Sequence, residues 1–399
     1  MTTSALPLAG RMRAVALSPI MKGTIAAELL RRAGADVVDL GAGEPDFPTP
    51  DHIRAAAHAA LDQSFTKYTA NAGLLELREA VARRYRDDHG VDYRADDVVI
   101  TAGGKQALFH AAMGLFGPGD EVITHVPGWP TIAEQVKLAG ATPVIVRTRS
   151  EDGFAITADV ILSGLSAHTR GLIINSPTNP TGALMSDEDA REIAAEAARR
   201  DLWVVVDLCY DRIVYDGASH RIAKIFSDAA HDRLVLCGSA SKSYAMTGWR
   251  CGWLAGPRQV ASAASALQSH ETSNASSITQ KAALAALTGP QSCVTDMVAE
   301  YQDRRNQVMA WLAEEPRLAA GVPRGAFYLF PSVQAFLSPN GCPSSLELAD
   351  GLLETEHVVL TAGEAFDAPG YVRLSYAASL DRLREGVTRL IRYARSRVS

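Results

Sequence analysis

Short, almost continuously apolar runs alternate with segments of helical periodicity through the first two thirds of the chain. The clearest run is LWVVVDL (202–208), which has the composition expected of a strand buried on both faces of a sheet. Strands separated by helices predict βαβ units and a mostly parallel sheet. Such strands are predicted at 96–101, 121–125, 143–147, 171–175, 202–208, 234–238 and 251–256, with helices at 104–116, 129–139 and 186–200.

The last third of the chain has a different pattern. Two long helical segments, at roughly 259–288 and 291–314, precede short strands that alternate with helices. These elements are predicted near 327–330, 344–356, 357–360, 371–376 and 380–396. The pattern is typical of a smaller α+β unit. We therefore predict an α/β protein, with a large domain over 45–290 and a small domain that joins 1–44 to 291–399.

Composition narrows the class of protein. With 399 residues, 47% hydrophobic and 21% charged, the chain is long enough for two domains and is ordinary for a soluble protein. A net charge of −6 argues against a nucleic-acid or anionic-membrane partner. The five cysteines lack CxxC pairs and metal-ligand spacing, so we expect reduced thiols and no metal. No window is apolar enough for a signal peptide or a membrane span, and we expect a cytoplasmic protein.

Polar residues recur at the carboxyl ends of the predicted strands, the edge of an open α/β sheet where ligands bind. In TAGGK (101–105), which follows a strand and begins a helix, Gly103 and Gly104 would let the backbone approach an anion. Free N–H groups of the first helical turn would hold a phosphate there. Taken alone, the two glycines are better explained by a tight turn without a ligand.

Two further segments place polar side chains at the same edge. NSPTNPTG (175–182) is either a surface loop or the source of an amide side chain aimed into a cleft. Asp207 ends the run LWVVV, and a carboxylate at the mouth of the sheet needs a partner. It is either an N-cap or salt-bridge residue, or it faces a cation such as a protonated ring nitrogen. Tyr210 would direct its phenol into the same site.

The stretch SASKSYAMTGWR (239–250) places one lysine after a buried strand. Lys242 is either a surface lysine or an amine whose pKa is lowered by a partly desolvated, cation-rich site, which suits Schiff-base chemistry. Ser239 and Ser241 precede it. Arg250 follows eight residues later and would give a fork of donors to a phosphate.

Together these residues describe one ligand, a flat cationic heterocycle that bears a phosphate and an aldehyde. Trp129 either stacks on that ring or lies in the core. The ligand is pyridoxal phosphate, and the chain resembles the class I aminotransferases of the aspartate aminotransferase family over nearly its whole length. The shared motifs are GAGEPDFPTP (41–50), KYT (67–69), GGKQALF (103–109), NPTG (179–182), DxxY (207–210), SxSKxxxxxGWR (239–250) and VRLSY (372–376).

The resemblance implies a role for each matching residue. Lys242 is similar to the Schiff-base lysine that moves a proton between the substrate α-carbon and the cofactor C4′, and Asp207 to the partner of the pyridine nitrogen. Tyr210 and Asn179 resemble the donors to the phenolic oxygen. The remaining positions resemble the stacking aromatic (Trp129), the phosphate cradle (Gly103, Gly104, Lys105, Ser239, Ser241 and Arg250) and the substrate-side contacts (Gly41, Lys105, Trp129, Asn179 and Arg373).

The family further implies a homodimer, in which Tyr68 reaches the phosphate of the neighbouring subunit and Arg373 clamps the substrate α-carboxylate. It implies ping-pong transfer of an amino group from an L-amino acid to a 2-oxo acid. In one bacterial branch the lysine that matches Lys105 helps to recognise a distal carboxylate, which favours aspartate or glutamate.

Local variants leave alternatives open. PGWPTI replaces the commoner PYW, and 269–280 and 363–370 also differ from the branch, so an aromatic, prephenate-type or specialised amino acid is an alternative substrate. A lyase on the same fold is a second alternative. A ligand sensor within a regulator is a third, although the chain has no DNA-binding segment or basic arm.

Overall fold

The structure is a computed structural model and describes residue 12, residues 20–338 and residues 342–397. Its α-helices are α1 (Ile20–Arg32), α2 (Asp51–Asp62), α3 (Leu75–His89), α4 (Gly104–Leu115), α5 (Thr131–Leu138), α6 (Ala158–Leu162), α7 (Asp187–Arg199), α8 (Ile222–Ala230), α9 (Arg258–Ser269), α10 (Ser277–Thr288), α11 (Ser292–Leu312), α12 (Ser345–Glu356) and α13 (Leu380–Ser396). Its strands are β1 (Val38–Asp39), β2 (Val98–Thr101), β3 (Glu121–Val126), β4 (Thr142–Arg147), β5 (Thr169–Asn175), β6 (Trp203–Asp207), β7 (Leu234–Ser239), β8 (Gly252–Ala255), β9 (Tyr328–Leu329), β10 (Val358–Val359), β11 (Thr361–Ala362) and β12 (Val372–Ser375).

Seven strands form the central sheet, in the order β2-β8-β7-β6-β5-β3-β4. All neighbours from β7 to β4 pair in parallel, while β8 runs antiparallel to both β2 and β7. The mostly parallel sheet predicted from the sequence is therefore confirmed. Because β8 alone is reversed, β2, β5, β6 and β7 end at the same edge of the sheet.

The apolar run of β6 shows why this sheet lacks an alternating pattern. Val204 and Val206 point into one hydrophobic core, while Val205 points into the core on the opposite face. All three are almost fully buried. Successive side chains of a strand point to opposite faces, so a strand covered by helices on both faces must be apolar at every position.

The last third of the chain builds a smaller α+β unit, as predicted. Strands β11, β12 and β9 form an antiparallel sheet, and β1 pairs in parallel with β10. The pairing of β1 with β10 supports our proposal that 1–44 and 291–399 form one domain. Within that N-terminal part, residues 1–11 and 13–19 lie outside the described residues.

One predicted helix is wrong in extent. The pattern over 259–288 is divided into α9 and α10 by a turn. Within the turn, Ser273 has a left-handed backbone (φ +58°), which a helix does not accommodate. The Ser276 hydroxyl then accepts the Thr279 N–H at 3.4 Å and so caps the start of α10. Because apolar periodicity continues on both sides of the turn, the sequence pattern did not indicate that the helix ends there.

Candidate active site

A cavity of about 290 Å³ lies at the edge where β2, β5, β6 and β7 end, and Gly43, Tyr328 and Arg373 line it from the smaller unit. It brings together most of the residues predicted from the sequence: Gly104, Lys105, Trp129, Asn179, Asp207, Tyr210, Ser239, Ser241, Lys242, Arg250 and Arg373. Among the described residues, the predicted positions Gly41, Tyr68 and Gly103 do not line it.

Lys242 lies just after β7, half-buried in the cavity wall. Its Nζ donates a hydrogen bond to the carbonyl oxygen of Gly43, in the loop that follows β1. Burial lowers the pKa of the Lys242 amine, and the nearby cations Arg373 and Arg250 lower it further. An amine with a lowered pKa spends more time deprotonated, as a nucleophile or a general base requires.

Asp207 ends β6 and is 5% exposed. The Cys209 N–H donates to its Oδ1 at 3.0 Å, but no cationic side chain among the described residues forms an ion pair with it. Burial therefore raises the pKa of Asp207 to about 7. A buried carboxyl that lines a cavity and lacks a cation fits a ligand that brings one, such as a protonated ring nitrogen.

An anion cradle surrounds the start of α4. The Ser239 and Ser241 hydroxyls are 2.8 Å apart, and a Cβ on Gly104 would lie 3.3 Å from the Ser239 Cβ. Gly103 has φ +91°, and a Cβ there would lie 2.7 Å from Arg250 Nη2. Glycine is needed at 103 because an L side chain is strained at this positive φ, and its absence also lets the guanidinium lie directly against the turn. Free N–H groups, two hydroxyls and a guanidinium in one place suit a phosphate.

Lys105 and Trp129 form one wall of the cavity. The Lys105 Nζ lies 4.9 Å from the centre of the Trp129 ring, in a cation–π contact. The Lys105 residue is exposed, but partial desolvation lowers the pKa of its amine, and the charge of Arg250 adds to the shift. The side chain thus places a second cation in the cavity, apart from Arg373.

Arg373, on β12, is 1% exposed. Its Nη1 donates to Asn179 Oδ1 at 2.9 Å, and its Nη2 donates to the Gly41 carbonyl at 2.7 Å. Its Nε is buried without a partner among the described residues. A buried guanidinium with an unused donor at a cavity wall is suited to a carboxylate ligand. Gly41 contributes here through its carbonyl, at a position behind the cavity wall.

One prominent side chain of the cavity, Tyr328, was not predicted from the sequence. Tyr328 lines the cavity, and its hydroxyl lies 2.8 Å from the Tyr210 hydroxyl. It stands within the apolar strand GAFYLF, where no local signal marks it as more than a core residue. Gly43, Asn175, Cys209 and Thr247 also line the cavity. All four lie within segments that were recognised from the sequence (41–50, 175–182, 207–210 and 239–250), so their proximity to the site could have been inferred.

Tyr68 lies away from the cavity and is 90% exposed. A large aromatic side chain so fully exposed is available for contact with another molecule. Its expected contact with a neighbouring subunit stays a prediction.

Known proteins resemble this chain in sequence and in fold. A model of the family described as aminotransferase class I and II matches residues 35–390. The aspartate aminotransferase of Geobacillus stearothermophilus is 39% identical over 392 residues, covering 98% of this chain and 100% of that one. Two solved structures are similar: the aspartate aminotransferase of Rhizobium meliloti (TM-score 0.93, 35% identity, 99% and 100% coverage) and that of Thermus thermophilus with maleate (TM-score 0.91, 36% identity, 98% and 100% coverage).

Proposed function

The chain belongs to the class I and II aminotransferases, and from this premise we propose that it transfers an amino group from L-aspartate or L-glutamate to a 2-oxo acid. As an aminotransferase of this family it uses pyridoxal 5′-phosphate. In the first half-reaction the amino acid gives up its amino group and leaves as a 2-oxo acid. In the second, another 2-oxo acid takes up that group and leaves as an amino acid.

One observation carries the proposed substrate class. The cavity holds two separate cations besides Lys242 and Arg250, namely Arg373 and Lys105. An amino acid with one carboxylate needs only one of them. A dicarboxylic amino acid would place its α-carboxylate on Arg373 and its distal carboxylate on Lys105. Arg373 is 1% exposed, so its charge is costly unless an anion pairs with it. Lys105 is exposed, and its partly desolvated amine offers the second cation for a ligand with two carboxylates.

The residues around the cavity fit the cofactor. Asp207 would bond to its ring nitrogen, Trp129 would cover the ring, and Tyr210 and Asn179 would donate to its phenolic oxygen. The phosphate would lie in the cradle formed by Gly103, Gly104, Lys105, Ser239, Ser241 and Arg250. When bound, pyridoxal phosphate supplies the electron sink for the charge that develops at the substrate α-carbon.

The protein supplies binding, orientation and proton transfer. Arg373 would hold the α-carboxylate and so fix the α-carbon close to Lys242, whose Nζ would accept the α-proton. The lowered pKa of that amine supports this role as a base. Asp207, once beside a cation, would be ionised and would keep the ring nitrogen protonated.

Absorbance spectroscopy of the purified protein with pyridoxal phosphate tests the proposal. We expect the visible band to disappear with L-aspartate and L-glutamate and to return on addition of oxaloacetate or 2-oxoglutarate. A better response to neutral or basic amino acids would contradict the dicarboxylate preference, and a better response to aromatic donors or prephenate would favour that alternative. Release of ammonia without a 2-oxo acid would identify a lyase instead.

We further propose a homodimer in which Tyr68 of each subunit contributes to the other's phosphate cradle. Its exposure at the surface supports this role. Sedimentation measures the oligomeric state. A Tyr68→Phe variant that weakens cofactor binding only in the dimer would agree with the shared site, and a monomeric enzyme with full activity would contradict it.

The proposed cytoplasmic location is supported by the cysteines. All five cysteines lie within the described residues, and none of them forms a disulfide. None of the described helices has both the length and the apolar composition needed to span a bilayer. Fractionation of cells that express the protein at its natural level would test the location.

A further inference from the structure

Tyr328 contacts both Tyr210 and Arg373, two residues that were assigned separate roles from the sequence. Its hydroxyl is 2.8 Å from the Tyr210 hydroxyl, and its ring centre is 4.4 Å from the Arg373 guanidinium carbon. The side chain is fully buried and lines the cavity. One tyrosine therefore contacts both a proposed donor to the cofactor and the proposed carboxylate clamp.

We propose that Tyr328 is a positioning residue. Its hydroxyl donates a hydrogen bond to the Tyr210 oxygen, so that the Tyr210 hydroxyl donates its own hydrogen bond to the phenolic oxygen of the cofactor. The inference rests on the proposed function, in which Tyr210 is a donor to that oxygen. Each phenol carries a single proton. If the Tyr210 proton points to the ligand, the short contact between the two hydroxyls requires the proton of Tyr328.

The surroundings leave this pair few other partners. The Phe327 ring lies 5.6 Å from the Tyr210 ring and 4.7 Å from the Tyr328 ring, between centroids, and shields the pair. Within the described part of the chain, the charged or titratable groups that face the two phenols are Arg373, Glu44, Cys209, Tyr301 and Tyr376, with Lys242 across the Phe327 ring. In such a site, a hydrogen bond received by one hydroxyl strengthens the bond that the hydroxyl donates.

Substitution of Tyr328 by phenylalanine removes the hydroxyl and keeps the ring against Arg373. Since Tyr210 then donates more weakly, the anionic form of the cofactor's phenolic oxygen is less stabilised. We expect the midpoint of the pH-dependent absorbance change of the holoenzyme to rise by roughly half a pH unit. Because the ring remains below Arg373, KM for L-aspartate should change less than twofold, and bound cofactor should still be detected.

A double-mutant cycle separates this role from mere packing. Tyr210→Phe alone should raise the midpoint more than Tyr328→Phe does. In the Tyr210→Phe background, Tyr328→Phe should add no further shift, because the Tyr210 hydroxyl that Tyr328 orients is absent. Independent, additive shifts, or no shift in Tyr328→Phe, would overturn the proposal.

Tyr376→Phe is a matched control. The Tyr376 hydroxyl is also buried and lies 3.3 Å from a second tyrosine hydroxyl, that of Tyr215, but neither residue lines the cavity. We expect it to lower thermal stability by about as much as Tyr328→Phe and to leave the absorbance midpoint unchanged. If the unsubstituted protein forms no cofactor absorbance, the proposed function fails as well. Ordinary transamination with an unshifted midpoint in Tyr328→Phe would refute only the role of Tyr328.

Discussion

Arg373 donates from Nη1 to Asn179 Oδ1 at 2.9 Å, and this bond joins the smaller antiparallel sheet to the loop that follows β5. Its Nη2 is held by the Gly41 carbonyl. The guanidinium plane is thus fixed from two sides before any ligand binds. A clamp that is already oriented loses little conformational entropy when a carboxylate arrives.

Substitution of Arg373 by lysine should weaken substrate binding. Lysine cannot offer two parallel donors or hold both Asn179 and Gly41, so one or two charge-assisted hydrogen bonds are lost. We expect KM for L-aspartate to rise roughly 10- to 100-fold, as measured by steady-state kinetics. Arg305→Lys is the matched control, since Arg305 is also buried and lies over a tyrosine ring, at 5.0 Å from the centre of Tyr215. An equal rise in KM in both variants would indicate a general loss of structure.

Substitution of Lys242 by alanine should remove the proposed base while leaving the cavity intact. We expect turnover to fall by at least about 10³-fold. Stopped-flow absorbance after addition of L-aspartate measures the step directly. Lys224→Ala, which removes a half-buried lysine of α8 that pairs with Asp228, should react at the wild-type rate. Turnover near the wild-type rate in the Lys242 variant would remove the basis of the proposed mechanism.

The elements that the sequence predicted best are those whose pattern reflects a local cause. β6 is apolar at every position because both faces are covered, and Asp207 stands out because it ends that run. Lys242 was found in the same way, from a strand followed by small polar residues. Such signals lie within about ten residues of the position they mark.

Tyr328 and the turn between α9 and α10 could not be predicted in this way. The role of Tyr328 depends on Tyr210 and Arg373, which are distant in sequence and meet it only after the two units pack together. Its strand is apolar and aromatic, so the hydrophobic pattern does not distinguish a hydrogen-bonding tyrosine from a core residue. The left-handed backbone at Ser273 is likewise invisible to apolar periodicity.

Substitution of Arg250 by glutamine should weaken the phosphate cradle specifically. Its guanidinium lies against Gly103 at the start of α4, so its charge adds to the free N–H groups there. We expect the dissociation constant for pyridoxal phosphate to rise roughly 10- to 100-fold, as measured by equilibrium titration of the cofactor-free protein. Binding of pyridoxal, which lacks the phosphate, is the control and should be unchanged. Equal losses for both compounds would contradict an anion site.

Substitution of Lys105 by glutamine should change the choice of substrate. If Lys105 holds the distal carboxylate, kcat/KM for L-aspartate should fall by roughly 10- to 100-fold relative to that for L-alanine. Because Lys105 is also a proposed member of the phosphate cradle, the ratio between the two substrates is measured at saturating cofactor. Lys137→Gln is the control, since Lys137 lies on α5 and pairs with Glu134. An unchanged ratio in the Lys105 variant would place the distal carboxylate elsewhere.

Asp207 should make the stability of the cofactor-free protein depend on pH. Burial raises its pKa from 3.8 to about 7, so the folded protein keeps a proton that the unfolded chain has lost between these values. Its contribution to the free energy of unfolding is therefore complete below pH 3.8 and is lost as the pH rises through about 7. The shift corresponds to about 4 kcal/mol.

The comparison with Asp207→Asn isolates this effect. His125 is buried and His220 is half-buried; desolvation lowers the pKa of each to about 4, and they give the opposite slope in both proteins. In urea unfolding from pH 4 to pH 8, the wild-type protein should lose up to about 4 kcal/mol relative to the variant. Saturating pyridoxal phosphate should flatten the difference, because a protonated ring nitrogen stabilises the ionised carboxylate. A difference independent of pH without cofactor would show that Asp207 is already ionised and that the cavity supplies its cation.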